Sequence, residues 1–541
     1  MKKHVLPLIT LFLLASILRL WQLGNIPVSM SDDEIRLSYN AYSISQTGKD
    51  INSNKLPLAF VVDSYAFNPI PIYVTSLSVK ILGLSQMNAR LPFAITGIMT
   101  VLLFYGICYQ LFKKRSIALF SSLVLVFSPW HLQISRFAYE GEFALFFFAL
   151  GIFLFLTIKK NTIFQTVCIM LPFLFAFYSY SGTKLLLIPV LLLLWWYKRE
   201  FLTRKQIVTI ILSIFVIFLS FFILTKTQHA SSYGSQLFFF QNTSAKVAEA
   251  VELERRASLA PHILQTIYHN KLTYLSRIFT EHYAYALSPQ FLFLDQEGSG
   301  IFSIWSRGEL YYIEIPLFVL GFLYLFHKKR KEFVFLLVFL LIAPLPSGLG
   351  PDPFTYAIRS SLLLIPLMIF VGSGIYAISY YTSKKLVRNG LYALVIFTYV
   401  YFIAGYLTQY YYEWSLYGAK YYSKSTKDVV LLAQEKSKEN KKVIVANADN
   451  MTLLQFAFYT KLSPRALQSI RQRKVAFPVT IGAVTFQQWC LVIPHTMDGV
   501  WKLPQKNTVF IERADCNVGL APTTVIKTLD GQLIEWKVYE N

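Results

Sequence analysis

The sequence predicts an α-helical polytopic membrane protein with about eleven transmembrane helices and a C-terminal extracytoplasmic α/β domain. The chain has 541 residues, of which 55% are hydrophobic. Many of its apolar runs approach ~20 residues, the length that crosses a bilayer as a helix. Its basic residues form short clusters between those runs. Together these observations exclude an ordinary soluble protein.

The first apolar segment extends from Val5 to Leu23 and follows Lys2 and Lys3. A basic start before an apolar stretch is also typical of a secretory signal peptide. This segment has no small-residue cleavage site, and further apolar runs follow it. We therefore interpret it as a retained first helix with a cytoplasmic N-terminus.

The other predicted helices follow along the chain, and their odd total places the C-terminus outside the cytoplasm. The segment from Pro69 to Leu84 is apolar but short and begins with proline, so we expect it to be interfacial or half-inserted. The predicted span centres are Leu14, Val101, Val124, Phe148, Leu171, Leu191, Phe215, Phe318, Leu340, Leu367 and Ile396.

The net charge of +22 could indicate a nucleic-acid-binding protein, but the distribution of the charge argues against one. Lysines and arginines gather in short loops such as Lys113–Arg115 and Lys328–Lys331, which alternate with loops that lack this enrichment. That alternation follows the positive-inside rule. We expect a multi-pass protein of the cell membrane, of the bacterial inner membrane type, with the lipid bilayer as a partner and no nucleic acid.

The predicted spans divide the chain into a transmembrane domain, residues 1–410, and an extracytoplasmic α/β domain, residues 411–541. Two external loops, 24–88 and 226–310, interrupt the first domain. The second loop contains a charged helical stretch, Ala245–Ser258, and an amphipathic one, His262–Tyr285. In the external domain we predict helices at Ser425–Glu439 and Met451–Thr460 and strands at Lys442–Asn447, Trp489–Ile493 and Thr508–Glu512.

Three consecutive acids, Asp32, Asp33 and Glu34, stand directly behind the first apolar segment. Carboxylates are costly to desolvate, so we expect them in water or in a polar cleft at the membrane surface, where a membrane enzyme would keep a base. Ser31 and Glu34 also match a capping box, and acids favour the first turn of a helix, here from about Asp32 to Gln46. The triplet alone leaves both interpretations open.

Further ionisable residues lie at predicted outer helix ends. Each has a simple structural interpretation: Arg136 and Glu140 could pair on a helix, Lys184 could extend to the surface, and Arg359 could anchor its helix at the headgroups. Taken together, acids and bases on one face suit a general base beside a stabilised phosphate leaving group. The residues are His131, Arg136, Glu140, Tyr180, Lys184, Asp352 and Arg359.

The four cysteines fall into two pairs. Cys108 and Cys168 lie in predicted spans and favour a packing role. Cys490 and Cys516 share the external domain, where a disulfide is plausible. No Cys/His spacing is typical of a zinc site, so the sequence indicates no metal or cofactor.

An ordered series of motifs accompanies the acid triplet. It consists of Arg19-Leu-Trp21, Pro27, Asp33-Glu34, Asn68-Pro69-Ile-Pro71-Ile-Tyr73, Gly83-Leu, Arg90-Leu-Pro92 and Ser128-Pro-Trp-His with Ser135-Arg136. Over roughly Val5 to Tyr381 this series resembles the GT-C membrane glycosyltransferases. The resemblance is closest to the branch with the protein O-mannosyltransferases and the lipid A aminoarabinose transferase.

The resemblance implies an inverting transferase that moves a sugar from a polyprenyl-phosphate donor to a glycan, lipid or protein acceptor at the extracytoplasmic face. It implies that Asp33 of the Asp-Glu pair is the base, that Glu140 is a second-loop acid and that Arg359 faces the donor phosphate. The predicted catalytic residues are Asp33, Glu34 and Glu140. The predicted donor- or substrate-binding residues are Arg136, Lys184, Arg359, Asn68 and Tyr180.

The chain departs from the pattern at Asn68. The aminoarabinose transferase has a lysine facing the phosphate at that position, directly before its loop proline. Lys55, Lys184 or Arg359 could supply the charge here. The adjacent Asp32 also leaves open which carboxylate is the base.

Two other classes of protein remain as alternatives. A transporter or flippase of lipid-linked glycans would keep polar residues near the bilayer midplane and show internal repeats, and neither is evident here. A non-catalytic membrane protein with an external binding domain would not depend on Asp33. The sequence favours the transferase.

Overall fold

The computed structural model describes residues 2–63, 65–158, 163–227, 244–295, 297, 300–304, 306–350, 356–472, 477–491, 507–516 and 519–540. Within these residues the chain forms a helical bundle, a layer of short elements at one end of it, and a domain built on a mixed sheet.

Apolar helices make up most of the first half of the chain. The elements are α1 (Lys2–Leu20), α2 (Asp32–Thr47), β1 (Phe60–Val62), β2 (Tyr65–Phe67), α3 (Pro69–Leu82), α4 (Gln86–Phe112), α5 (Arg115–Phe127), α6 (Pro129–Ile134), α7 (Glu140–Leu156), α8 (Ile163–Phe177), α9 (Leu187–Lys198) and α10 (Arg204–Thr227). A 3₁₀ turn, Gly182–Leu186, precedes α9.

The second half continues the bundle and then forms the sheet domain. Its helices are α11 (Ser244–Arg256), α12 (His262–Tyr268), α13 (Lys271–Ala286), α14 (Glu314–Lys328), α15 (Arg330–Ile342), α16 (Leu345–Leu349), α17 (Tyr356–Arg359), α18 (Leu364–Tyr381), α19 (Lys385–Thr408), α20 (Trp414–Tyr417), α21 (Lys424–Lys438), α22 (Asn450–Tyr459) and α23 (Pro464–Gln472). Its strands are β3 (Lys442–Ala446), β4 (Val479–Ile481), β5 (Val484–Phe486), β6 (Thr508–Arg513), β7 (Thr524–Lys527) and β8 (Ile534–Glu540).

Every predicted span centre lies inside one of the apolar helices. Five segments of the described residues are long and apolar enough to cross a membrane by length and composition alone. They are Gln86–Phe112, Arg204–Lys226, Arg330–Leu349, Ser361–Tyr381 and Lys385–Tyr422. The total number of crossings therefore stays a prediction.

Two glycines allow the closest helix crossing in the bundle. A Cβ on Gly321 of α14 would lie 1.8 Å from the carbonyl oxygen of Phe370 in α18, and one on Gly374 would lie 1.9 Å from that of Leu317. Small residues let membrane helices approach backbone to backbone, where dispersion and weak polar contacts hold them together. The helices α14 and α18 thus pack backbone to backbone at these glycines.

The layer of short elements begins with α2. Ser31 accepts a hydrogen bond from the N–H of Glu34 at 3.3 Å, and the Glu34 carboxylate accepts one from the N–H of Ser31 at 3.0 Å. The predicted capping box is therefore confirmed. At the other end Gly48 adopts φ 67°, a left-handed conformation that glycine reaches without strain.

The predicted amphipathic stretch His262–Tyr285 is wrong as a single helix. It is divided into α12 and α13 because Asn270 begins a new helix. The side chain of Asn270 accepts hydrogen bonds from the N–H groups of Leu272 and Thr273, and Thr273 completes a capping box.

The external domain is built on a six-stranded sheet of order β4-β5-β3-β6-β8-β7. The central strand β3 runs parallel to β5 and β6, and the remaining pairs are antiparallel. The predicted strands at Lys442 and Thr508 are confirmed as β3 and β6. The prediction at Trp489–Ile493 is not met in its described part, because Trp489–Leu491 follow the end of β5 without strand pairing. A disulfide joins Cys490 to Cys516 nearby.

One hydrophobic core continues from α2 into the external domain. Its buried members include Ile35 and Tyr39 of α2, Val430 of α21, Leu454 of α22 and Val443 of β3. The helix α2 is therefore packed against the sheet domain as well as against the bundle.

Candidate active site

The three acids at the start of α2 point to three different surroundings. Successive residues of a helix are about 100° apart, so neighbours cannot share one environment. Asp32 Oδ1 accepts hydrogen bonds from Ser423 at 3.2 Å and from Gln455 at 3.4 Å, both in the C-terminal region. The carboxylate of Asp32 is therefore turned toward the external domain.

Glu34 is fully buried and forms an ion pair with the fully buried Arg90. Its two carboxylate oxygens accept from the guanidinium at 2.8 and 3.0 Å. They also accept from the backbone N–H of Ala138 at 2.8 Å and from that of Ser31 at 3.0 Å. With both oxygens occupied, Glu34 holds the first loop to α4 and to the segment before α7.

Asp33, the acid between them, is half-buried. Its side chain is 36% exposed, and its carboxylate forms one ion pair with Arg36 at 3.0 Å. It interacts electrostatically with Tyr139 and Glu140 at the start of α7. Loss of solvation raises the pKa of Asp33 above its ordinary value, against the opposing effect of Arg36. These are the properties of a carboxylate that can accept a proton.

A polar chain joins α7, the start of α3 and the turn before α9. The backbone N–H of Asn68 donates to Glu140 Oε1, and its Nδ2 donates to Glu140 Oε2 at 3.0 Å. The Nζ of Lys184 donates to Asn68 Oδ1 at 2.5 Å. Each atom of the Asn68 amide thus faces a partner of the matching kind, and the side chain is fixed between an acid and a base.

Two tyrosines and an arginine border the same region. The rings of Tyr139 and Tyr180 lie 6.1 Å apart, and Tyr139 also contacts Phe302 at 5.0 Å between centroids. Tyr139 interacts electrostatically with Asp33 and Arg359. Arg359 is 8% exposed and lies against Gly350, where a Cβ would come within 2.6 Å of the guanidinium. The structure therefore places Asp33, Glu140 and Arg359 within electrostatic range of Tyr139.

Arg136 does not belong to this group. It is fully buried, and its guanidinium donates to the carbonyl oxygens of Leu18, Arg19 and Ile26 and to the hydroxyl of Tyr410. These bonds at 2.9 to 3.3 Å hold the segment after α6 to the end of α1. Arg136 has the surroundings of a scaffold residue.

His131 lies in a second buried polar group, away from Asp33. Arg19 Nη2 is 2.6 Å from His131 Nδ1, and Thr100 donates to Glu142 Oε1 at 3.1 Å. Arginine carries only donors, so His131 Nδ1 accepts and the ring proton lies on Nε2, 3.6 Å from Glu142 Oε2. The neutral imidazole separates the charges of Arg19 and Glu142.

The sequence analysis missed several members of these groups. Tyr139 and Ser181 stand beside predicted residues, and Ser181 accepts from Asn68 at 3.2 Å. Arg36 carries the ion pair of Asp33. Glu142 had a usable signal, because an acid inside an apolar helix marks a buried partner. Asp352, which was among the predicted outer-face residues, lies outside the described residues.

The middle of the transmembrane region matches a known family. Residues 67–223 match the family model described as dolichyl-phosphate-mannose-protein mannosyltransferase. No curated protein sequence matches the chain. The matched segment contains Asn68, Glu140, Tyr180 and Lys184.

Solved membrane proteins share the fold. ArnT from Cupriavidus metallidurans in the apo state superimposes with a TM-score of 0.53 at 11% identity, covering 99% of this chain and 98% of that one. The same protein bound to undecaprenyl phosphate gives 0.51 at 12% identity, covering 98% and 97%.

An archaeal membrane protein also matches. The oligosaccharyltransferase AglB from Archaeoglobus fulgidus, in complex with an inhibitory peptide and a dolichol-phosphate, gives a TM-score of 0.51 at 12% identity. The match covers 84% of this chain but spans only 63% of the archaeal protein. At these identities the likeness establishes the fold.

Proposed function

The chain has the GT-C fold of membrane glycosyltransferases, and from that premise we propose that it transfers a sugar, with inversion, from a polyprenyl-phosphate donor to an acceptor at the extracytoplasmic face. The acceptor would be a glycan, a lipid or a protein. The N-terminus would lie in the cytoplasm and the sheet domain outside it, as the basic clusters predict.

The observation that carries the proposal is the different environment of the three acids. Asp32 is engaged by Ser423 and Gln455, and Glu34 is engaged by Arg90. Asp33 keeps a partly exposed carboxylate, and partial burial raises its pKa. We assign the base to Asp33, because a base must be reachable and able to hold a proton near the working pH.

The reaction needs one proton transfer and one displacement. The acceptor oxygen attacks the anomeric carbon while its proton passes to the Asp33 carboxylate. The bond from that carbon to the phosphate oxygen breaks, and the electron pair leaves with the polyprenyl phosphate. Attack opposite the leaving group inverts the anomeric configuration.

The leaving phosphate needs cationic or N–H donors. Among the predicted cations, Lys184 and Arg359 are assigned to this role because both are buried near the candidate base. Lys184 donates to Asn68, and Arg359 interacts electrostatically with Tyr139. Asn68, held by Glu140, would orient Lys184, and Tyr180 would border the donor through its contact with Tyr139. Arginine and lysine pair strongly with phosphate through charge-assisted hydrogen bonds.

Three predicted residues receive structural roles in this proposal. Glu34 and Arg136 hold the external loops to the bundle through the bonds described above. Glu140 fixes the Asn68 amide, so we assign it to positioning instead of proton transfer.

The experiment is a donor screen with purified protein. Polyprenyl-phosphate sugars are incubated with the protein and an extract of envelope acceptors, and released polyprenyl phosphate is measured. Release by the native protein and loss of release in Asp33→Asn support the proposal. Release that is equal in both proteins would exclude Asp33 as the base, and no release from any donor would argue for the binding or transport alternatives.

A further inference from the structure

The helix α12 carries an apolar face that the protein leaves in the open. Ile263, Leu264, Ile267 and Tyr268 are 73%, 44%, 56% and 66% exposed. Their spacing places all four on one side of the helix. We call these four residues the α12 face.

The opposite side of α12 is fixed to its neighbours. Gln265 Nε2 donates to the carbonyl oxygens of Ser258 and Ala260 at 3.0 and 2.8 Å. These bonds fasten the side of α12 opposite the α12 face to the linker between α11 and α12. Leu259 and Leu272, at the two ends of α12, are 104% and 74% exposed and extend the apolar surface.

The polar groups of this region lie together on the other side. Glu254 of α11 pairs with Arg277 of α13 and with His269 at 3.2 Å. Arg255 donates to the carbonyl oxygen of His269 at 2.8 Å. The three helices thus form one unit with an ion-paired side and an apolar side, which is the division expected at a membrane–water interface.

The unit is attached at the outer end of a predicted span. Tyr283 of α13 donates to the carbonyl oxygen of Leu341 at 2.7 Å, and Leu341 lies near the end of α15. The other end of α15 begins in the basic cluster that the sequence places in the cytoplasm. Lys271 is exposed at the start of α13, beside the α12 face.

We propose that the α12 face inserts into the outer leaflet of the membrane, with α13 lying along the bilayer surface. An amphipathic interfacial helix buries its apolar face about 5–10 Å into the boundary between headgroups and acyl chains. The α12 face then meets the membrane beside the bundle, joined to it through α13, whose 16 residues extend about 24 Å at ~1.5 Å per residue. This inference is independent of the proposed chemistry.

The α12 face is also connected, through the contacts of α13, to the segment that carries Arg359. Phe279 of α13 lies against Gly348 of α16, where a Cβ would come within 2.7 Å of its ring. The ring of Tyr285, near the end of α13, packs at a tilt against that of Tyr356, with 4.7 Å between centroids, and Tyr356 begins the short helix that ends at Arg359. Membrane contact at α12 therefore steadies the backbone that carries Arg359.

The test uses the full chain in nanodiscs of phosphatidylcholine and phosphatidylglycerol. Cys108 and Cys168 are replaced by serine, the Cys490–Cys516 disulfide is kept, and a spin label is placed at Ile267→Cys or at Thr266→Cys. Thr266 is the adjacent control, because it is exposed on the other side of α12. Accessibility to oxygen and to a water-soluble nickel complex is then measured by electron paramagnetic resonance.

Insertion predicts that the label at position 267 relaxes more with oxygen and the label at 266 more with nickel. A label at 267 that favours nickel overturns the proposal, because the face is then in water. A label at 267 that neither reagent reaches also overturns it, because the face is then covered by protein. Spin–spin broadening at 267 would identify that protein as a second copy of the chain.

A second variant checks that lipid contact is the cause. Ile263→Asp with Ile267→Asp should make a label at Leu264→Cys several-fold less accessible to oxygen, and it should leave the helical circular dichroism of the protein unchanged because the replaced side chains are exposed in the folded chain. An unchanged oxygen accessibility would overturn the proposal even if the doubly substituted protein folds normally.

Discussion

The ammonium group of Lys184 lies 2.5 Å from the amide oxygen of Asn68, a residue 116 positions earlier in the chain. Asn68 stands where the aminoarabinose transferase that the sequence resembles has a lysine. The contact brings a cation from the turn before α9 to that place. A charge that the motif lacks can therefore be supplied by another loop, which supports Lys184 over Lys55 as the phosphate-facing lysine.

This relationship predicts the behaviour of Lys184→Met. The substitution keeps most of the side-chain volume and removes the charge, so we expect donor affinity to fall by about 1.5–3 kcal/mol, or roughly 10- to 100-fold. Binding of a labelled polyprenyl phosphate measures the loss. Lys55→Met is the control, because Lys55 is exposed, and it should bind as the native protein does. Equal affinity in Lys184→Met would remove Lys184 from the site.

The assignment of the base predicts that Asp33→Asn folds and binds donor while turnover falls by about 10²–10⁴, the usual contribution of a general base. Asparagine keeps the size of the side chain and removes its ability to take the proton. Asp32→Asn is the matched control and should keep most of its turnover, since Asp32 accepts hydrogen bonds from Ser423 and Gln455. If Asp32→Asn is inactive and Asp33→Asn is active, the base is misassigned by one residue.

The raised pKa of Asp33 predicts the acid limb of the pH–rate profile. The base works only when it is deprotonated, so kcat/KM should fall as the pH falls through the pKa of Asp33. Because burial raises that pKa, the fall should occur at a higher pH than for an ordinary aspartate. Arg36 lowers the same pKa, so Arg36→Gln should move the acid limb to still higher pH. A limb that does not respond to Arg36→Gln belongs to another group.

The buried pair of Glu34 and Arg90 predicts a loss of stability. Glu34→Gln keeps the length of the side chain but leaves the Arg90 charge without its partner, which costs about 3–5 kcal/mol in a buried pair. Thermal unfolding in detergent measures the loss. The double variant Glu34→Gln with Arg90→Met should recover part of it, because no unpaired charge remains. A native melting temperature in Glu34→Gln would show that the pair contributes little.

The basic clusters predict the topology of the chain. A reporter fused after Lys331 should read as cytoplasmic and one fused after Asn541 as external. Two reporters on the same side would contradict the eleven-helix prediction, because it places three crossings, centred at Leu340, Leu367 and Ile396, between the two fusion points.

The helical bundle could be predicted because it depends on local properties of the sequence. Each apolar run contains its own hydrophobic signal, and the predicted centres such as Val101 and Leu367 all lie in helices. The break at Asn270 was harder to predict, because an asparagine cap competes with an amphipathic pattern that continues across it.

The candidate site could be predicted only in part. Asp33, Lys184 and Arg359 could be chosen as candidates from their residue types and their places at helix ends. The different surroundings of Asp32 and Asp33 depend on partners more than 300 residues away, such as Ser423. The scaffold role of Arg136 depends likewise on carbonyl groups of Leu18 and Arg19 that no motif identifies. Long-range pairing of this kind is decided by the folded chain.

The common core of α2 and the sheet domain affects how this protein can be recombined with its relatives. Tyr39 donates to the carbonyl oxygen of Leu462 at 2.8 Å, and Gln468 reaches Ser43 and the carbonyl oxygen of Asp50 at 3.0 and 2.9 Å. A chimera joined near residue 410 would replace one partner of each of these contacts and leave the other partner without it. A chimera that exchanges α2 together with the sheet domain keeps these contacts, so the two should be exchanged as one unit.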